Sequence, residues 1–346
     1  MSKVIANVIF AAALIFGMRA VEGAEPASAR VLVVEHPSAT QAFTPQAEIV
    51  STMVREGLLR FTGAENEFSA WKNLASTQDV IGIKVHSAPG SMSGTRPAVV
   101  GALIESMLRA GIAKERIVIW DRRYVDLRLA GYDRLGEKYG VAVEGAQDAG
   151  YDEKVFYPTP LLGKLVYGDL DFGKKGEGVG RNSFVSKLLT KRITKIVNVT
   201  PLLNHNQAGV SGALYSLAMG GVDNTLRFED PERLATAVPE IYAMPELTDR
   251  VALNIVDALV CQYRGEERVY SHYSAVLNEL WMSKDPVALD MLGIQTIDRF
   301  RDDRKTSKAT LQIYSNAALM DLGIAETNRI RTERLRLGAN SSAAIN

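Results

Sequence analysis

Short apolar runs alternate with amphipathic stretches along most of this chain, and that alternation restricts its fold more than any other feature. Valine- and isoleucine-rich segments at 30–35, 80–85, 117–120, 141–143, 195–199 and 250–256 have the length and composition of buried strands. Helix signals lie between them. Thr44-Pro45 starts a helix whose apolar face is Ile49, Met53, Val54 and Leu58, ending near Gly63. Thr95 is the expected cap and Pro97 the first residue of a second, with Val99, Leu103, Met107 and Leu108 inward and Gly111 as its stop. Further helices are predicted at 132–139, 183–191, 231–237 with a continuation over 240–244, from Asp285-Pro286 to Phe300, and at 308–322. Trp71 falls in a polar connection. Strands joined through helices need crossover connections, so the expected fold is α/β, a mainly parallel sheet with helices on both faces. Residues 145–181 break the rhythm, and Pro158, Pro160 and the alternation Leu165-Val166-Tyr167 predict an inserted hairpin region. The α/β domain is expected over 30–325, as one body or two lobes, with a charged, flexible tail at 326–346.

Composition removes several functions. Hydrophobic residues make up 47% of the 346-residue chain and charged residues 23%, the proportions of a globular protein. Forty basic and forty acidic residues cancel, so nothing electrostatic argues for nucleic acid or for a polybasic membrane tether. Cys261 stands alone, which excludes an internal disulfide and a cysteine-ligated iron–sulfur cluster, and its apolar neighbours suggest a buried small residue. At the amino terminus, Lys3 precedes the apolar run 4–18, and small residues follow. These are the parts of a secretory signal, expected over 1–23 with cleavage as late as 29. The run is short for a membrane span, which needs about 20 residues. Export to the periplasm or beyond is the expectation, with an uncleaved anchor as its competitor and no other membrane contact.

In open parallel sheets, ligands sit in the crevice beyond the carboxyl ends of the strands. The predicted strands deliver Glu35 and His36, His86, Asp121, Asn204 with His205, and Asp257 to that edge. Three of the four histidines fall there; His272 does not. The segment 198–224 places His205 between Asn204 and Asn206 and follows it with Gly209, Gly212, Gly220 and Gly221, a pattern that permits close approach of a ligand to main chain. His205, Asp121 and His86 are the expected catalytic residues, with His205 as acid or base. The same three are the candidate ligands of a divalent metal, against the alternative of satisfied structural histidines. Gly209, Gly212, Asn204 and Asn206 are candidate cofactor-binding positions. Thr95-Arg96 at a helix start would suit an anionic substrate, or be an ordinary cap with a surface arginine.

Standard motifs do not fit. Gly176-Glu177-Gly178-Val179-Gly180 has Arg181 at the third glycine position of a dinucleotide fingerprint and follows no clean strand. No GxxxxGK[ST] phosphate loop occurs, and Gly209-Val210-Ser211-Gly212-Ala213 lacks the last glycine of a nucleophile elbow.

The sequence as a whole resembles the family called domain of unknown function 362. The matching pieces are Val80-Ile81-Gly82-Ile83-Lys84-Val85-His86, Thr95-Arg96-Pro97, Ile119-Trp120-Asp121-Arg122, Gly131-Tyr132, 198–213, Arg227-Phe228, Pro239-Glu240-Ile241-Tyr242 and 283–290. Family members commonly have asparagine at the position of His86 and a Lys-Asn pair at Tyr215-Ser216, and some carry cysteine clusters absent here. A more distant likeness is to the nickel-pincer lactate racemases, through the Thr-Arg-Pro helix start and a histidine followed by an AGxSG-like run. That likeness implies a cofactor-bearing lysine ten residues beyond His205. Tyr215 stands there, and a phenol cannot form the attachment, so no covalent pincer cofactor is expected. The resulting expectation is an exported enzyme acting on a small, anionic substrate in a strand-end cleft by metal or acid/base chemistry. The competing expectations are a non-catalytic metal- or metabolite-binding or maturation protein using the same cleft, and an exported scaffold.

Overall fold

A computed structural model describes residues 28–301 and 305–338. The proposed signal at 1–23 and the end of the tail therefore lie outside the described residues. In chain order the strands are β1 (Ala29–Glu35), the short pair β2 (Thr40–Gln41) and β3 (Thr44–Pro45), β4 (Ile81–Val85), β5 (Ile117–Asp121), β6 (Ala142–Gly145), β7 (Tyr151–Pro158), β8 (Asn182–Ser186), β9 (Lys195–His205), β10 (Gly209–Val210), β11 (Val251–Gln262), β12 (Ser274–Ser283) and β13 (Ile330–Arg336). The helices are α1 (Ala47–Thr62), α2 (Glu67–Lys72), α3 (Gly90–Ser93), α4 (Pro97–Arg109), α5 (Tyr124–Leu129), α6 (Tyr132–Tyr139), α7 (Ala146–Ala149), α8 (Ala213–Gly221), α9 (Pro231–Tyr242), α10 (Pro286–Arg299) and α11 (Lys308–Leu319).

One large sheet runs in the order β13-β1-β12-β11-β9-β4-β5-β6, with β10 folded back on β9. Only β12 and β10 pair antiparallel; the other ladders of this sheet are parallel. The expected α/β fold with helices on both faces is what forms. Strand periodicity divides the core: Val31, Val33, Val118, Trp120 and Ile196 face α8 to α11, while Leu32, Val34, Ile81, Ile83, Ile117 and Ile119 face α1 and α4. From β4 the chain moves outward to β5 and β6, then returns through β9 on the other side of β4. That reversal is a topological switch point, where a parallel sheet leaves a crevice at its carboxyl edge.

The region expected to hold an inserted hairpin contributes β7, which pairs antiparallel with β8 just beyond it, whereas Leu165-Val166-Tyr167 form no strand. Several local expectations need correction. The helix expected at 183–191 is strand β8 followed by a π-helical turn, Leu188–Arg192, because its apolar residues pair with β7 and bury against the sheet. The tail expected to be loose from 326 instead supplies β13, which pairs in parallel with β1. Its charges form a ladder, with Arg334 on Glu35 at 2.9 Å and Glu279 at 2.8 Å. Thr44-Pro45 lies in a short bridge, and α1 begins at Ala47. Arg96, not Thr95, is the cap residue of α4. Pro239 sits inside an unbroken α9. Trp71 is buried in α2 with its indole N–H donated to Ser106. β9 and β11 also run past their expected ends, to His205 and Gln262.

Candidate functional site

Strand β4 carries a lysine, Lys84, in a fully buried apolar sequence. A charge there requires partners, since burial of an unpaired ammonium costs several kcal/mol. Three are supplied: Asp121 Oδ1 at 2.9 Å, Ser216 Oγ at 3.0 Å and the Val85 carbonyl at 2.7 Å. The three hydrogen-bond donors of Nζ are thereby matched. Helix α8 comes close enough to make this contact because residue 220 is glycine. A Cβ there would stand 2.5 Å from Lys84 Cε and 3.0 Å from Nζ.

Asp121, at the end of β5, uses its other oxygen to accept from the backbone N–H and the hydroxyl of Ser87, at 2.7 and 2.6 Å. Burial opposes ionisation, but Lys84, His86 and the Ser87 hydroxyl outweigh it and hold the carboxyl at about 2. Asp121 is therefore a permanent anion with both oxygens engaged, which suits it to orienting neighbours better than to moving protons.

His86 follows β4 directly and is 9% exposed. Thr95 positions it: the Thr95 hydroxyl accepts from the His86 N–H at 3.0 Å and donates to the Val199 carbonyl at 2.7 Å. Burial drives the His86 imidazole down to about 4; Asp121 acts in the opposite sense, and Lys84 and His205 reinforce the fall. It is neutral near neutral pH. Its Nε2 is buried and has no partner among the described residues.

His205 ends β9, and its Nδ1 accepts from the backbone N–H groups of Gln207 and Ala208, at 3.2 and 3.0 Å. This fixes the neutral ring with its proton on Nε2. Burial lowers its pKa, with Glu266 opposing. The ring lies 4.2 Å from that of Tyr215, tilted by 47°. In this tautomer His205 offers a hydrogen-bond donor; the base role expected from sequence would require it to turn away from two amides.

His86, Asp121, His205, Tyr215 and Ser216 line one cleft of about 860 Å³ at the carboxyl edge of the sheet, with Val166 and Tyr167 of the inserted segment on its wall. His205 and Asn206 also border adjoining cavities of about 370 and 520 Å³. Residues at the ends of β4, β5 and β9 thus border one cleft at the switch point. As to the metal reading, no three or more of His, Cys, Asp and Glu among the described residues are arranged to hold an ion.

Other expected site residues have structural partners. Arg96 is buried, with its guanidinium on Asp257 Oδ1 at 2.9 Å and its backbone N–H on Oδ2, so it does not reach the cleft as an anion clamp. Asp257 lies within β11 rather than at its end. Gly212 makes room for the chain's own carboxylate: a Cβ there would stand 2.1 Å from Asp290 Oδ1, which accepts from the Ala213 N–H at the start of α8. Gly209 adopts φ +81° in the β9–β10 turn, the left-handed region that favours glycine. Asn204 Oδ1 accepts from the Glu266 N–H, and Glu266 accepts from the Asn206 N–H, so the asparagines pin the 263–270 loop to the β9 turn. His36 bonds locally to Ser38, and His272 lies against Tyr270 and Tyr273; neither lines the cleft. Cys261 is buried, and burial pushes its thiol up to about 12.

Residues 81–295 match the family model of the domain of unknown function DUF362. The chain belongs to the DUF362 family. The DUF362 segment contains Lys84, His86, Asp121, His205 and Tyr215, whereas β1, α1, α11 and β13 lie outside it. No curated protein matches the chain. A crystal structure of a Thermotoga maritima protein, solved as a structural genomics target, is similar at 12% identity with a TM-score of 0.39, covering 86% of this chain and 62% of that one.

Proposed function

We propose that this DUF362 protein is an exported enzyme that binds a small polar metabolite in the switch-point cleft and acts on it through hydrogen bonding and proton transfer at His86 and His205. The observation that carries this reading is the unpartnered Nε2 of the buried, neutral His86. A buried polar atom without a partner costs about 1–3 kcal/mol, and a ligand atom in the cleft would recover it. Asp121, held by Lys84 and Ser87, supplies the fixed negative charge that would stabilise a proton arriving on His86. His205 would present its Nε2–H to a ligand oxygen or nitrogen. The signal-like run at 4–18 supports export.

A non-catalytic binding protein is the second reading, and one observation favours it. His205 is fixed as a donor by two amides, a state that serves recognition without any proton movement. Ligand-observed NMR with pooled polar metabolites tests the site itself, comparing wild type with His86→Ala. The account expects one or more compounds to bind wild type and to lose binding in the variant. Conversion of a bound compound over hours distinguishes enzyme from binder. Equal binding to both proteins would remove the cleft from consideration.

A further inference from the structure

Pairing off the ions that line the cleft leaves an imbalance. Lys84 neutralises Asp121, and Arg123 neutralises Asp126 at 2.7 Å. Glu229, Glu266 and Glu267 remain, against one further arginine, Arg122. Among the described residues, neither Glu229 nor Glu267 has an ion-pair partner, and the Glu266 carboxylate accepts only from the Asn206 N–H. Arg122 donates to the Thr225 hydroxyl at 2.6 Å.

We infer that the cleft takes an organic cation, a primary amine or a guanidinium, with its charge among Glu229, Glu266 and Glu267 and its body against the Tyr215–His205 ring pair. The inference rests on the proposal that this cleft is the functional site, and it replaces the anionic substrate expected from sequence. Three observations carry it. The excess carboxylates border one concave space, where low-dielectric walls strengthen their common field. They act on Tyr215 in the same lining: burial foremost, then Glu267, and further Glu266 and Glu229 against the opposing Arg122, push its hydroxyl up to about 12. His86, which is 9% exposed and whose buried Nε2 lacks a partner among the described residues, lines the same space, and an unmet polar atom beside a cleft points to a ligand. An anion would add to a repulsion already present. Burial, and then the Asp126, Asp121 and Glu266 carboxylates, raise Glu267 above the usual carboxylate range in spite of Arg123. Among the described residues the acidic groups do not converge as a metal-ligand set. An extended cation can lie between them, and the Tyr215 ring in the cleft lining suits it.

The test uses four probes of one length: 1,4-diaminobutane, 4-aminobutyrate, succinate and 1,4-butanediol, titrated calorimetrically into the full chain at low salt. The account expects 1,4-diaminobutane to bind, 1,4-butanediol not to bind, and the double variant Glu229→Gln/Glu267→Gln to bind the diamine about tenfold more weakly. Glutamine keeps the side-chain volume, and no hydrogen bond or ion pair of either carboxylate is lost among the described residues, so the variant retains the fold, which circular dichroism checks. Tighter binding of succinate than of the diamine overturns the charge inference and leaves the cleft as a ligand site. Diamine binding of equal strength in wild type and variant also overturns it, because the cation then sits elsewhere. Binding of none of the four overturns the inference. Loss of the cleft reading itself is recognised separately, by His86→Ala leaving metabolite binding unchanged.

Discussion

Lys84→Met isolates the interaction on which the site's geometry depends. The substitution keeps most of the side-chain volume and removes the ammonium. Asp121, with 8% of its side chain exposed, then has the Ser87 donors but no neutralising cation. Removing one partner of a buried pair costs about 3–5 kcal/mol, and this pair is buried on both sides. The pH dependence gives a second magnitude. Asp121 falls from an ordinary 3.8 to about 2 in the folded protein. A depressed carboxyl contributes stability that is present above 3.8 and is lost as the pH falls through about 2. The size of this contribution is about 2 kcal/mol. Urea unfolding followed by circular dichroism at pH 7 and at pH 3 checks both. Wild type loses stability between the two values. Lys84→Met starts about 3–5 kcal/mol lower at pH 7 and shows a smaller acid loss, because the cation that depresses Asp121 is gone. The double variant Lys84→Met/Asp121→Asn recovers much of the deficit by removing the stranded charge. A single variant within about 1 kcal/mol of wild type at pH 7 would refute the reasoning, since that is the range of an exposed pair.

Gly220→Ala forces a methyl to 2.5 Å from Lys84 Cε, and Lys84 cannot yield without breaking its three hydrogen bonds. A destabilisation of about 1–3 kcal/mol is expected, read as a lower urea midpoint; an unchanged midpoint contradicts the close approach of α8. Truncation after residue 329 removes β13, its ladder to β1 and the Arg334 bridges to Glu35 and Glu279. The shortened protein is expected to melt lower and to aggregate through the uncovered β1 edge, measured by thermal scanning with light scattering; a melting curve superimposable on the parent's contradicts it.

Local pattern made the frame legible. The apolar runs at 80–85 and 117–120 correspond to β4 and β5, and Pro97, Pro231 and Pro286 each open a helix. Patterns with two readings did not resolve. Val185, Leu188 and Leu189 have helical spacing, yet Val185 lies in β8, paired with β7, and only Leu188 and Leu189 enter a helical turn. The residues Ile330–Arg336 look like a solvated charge run, yet opposite charges on neighbouring strands make them an edge strand. His86 and His205 were readable as strand-end residues because the sheet's polarity follows from its crossovers. Arg96 was misread because its partner, Asp257, lies 161 residues away in the chain. Lys84 was missed as a site residue, although a lysine inside an uninterrupted apolar strand is itself a signal of a buried partner. The acidic wall could not be read at all, because Glu229 and Glu267 meet only through the folding of two loops around Tyr215.

The central claim is that the His86 imidazole is neutral with an Nε2 awaiting a ligand, and its own nitrogen resonance tests this most directly. In the metabolite titration proposed above, 15N NMR of the full chain follows the His86 ring near pH 7. The account predicts an uncharged imidazole before addition, and an Nε2 resonance that shifts as the compound binds. A charged ring in the free protein, or an Nε2 resonance unmoved while ligand binds, contradicts it.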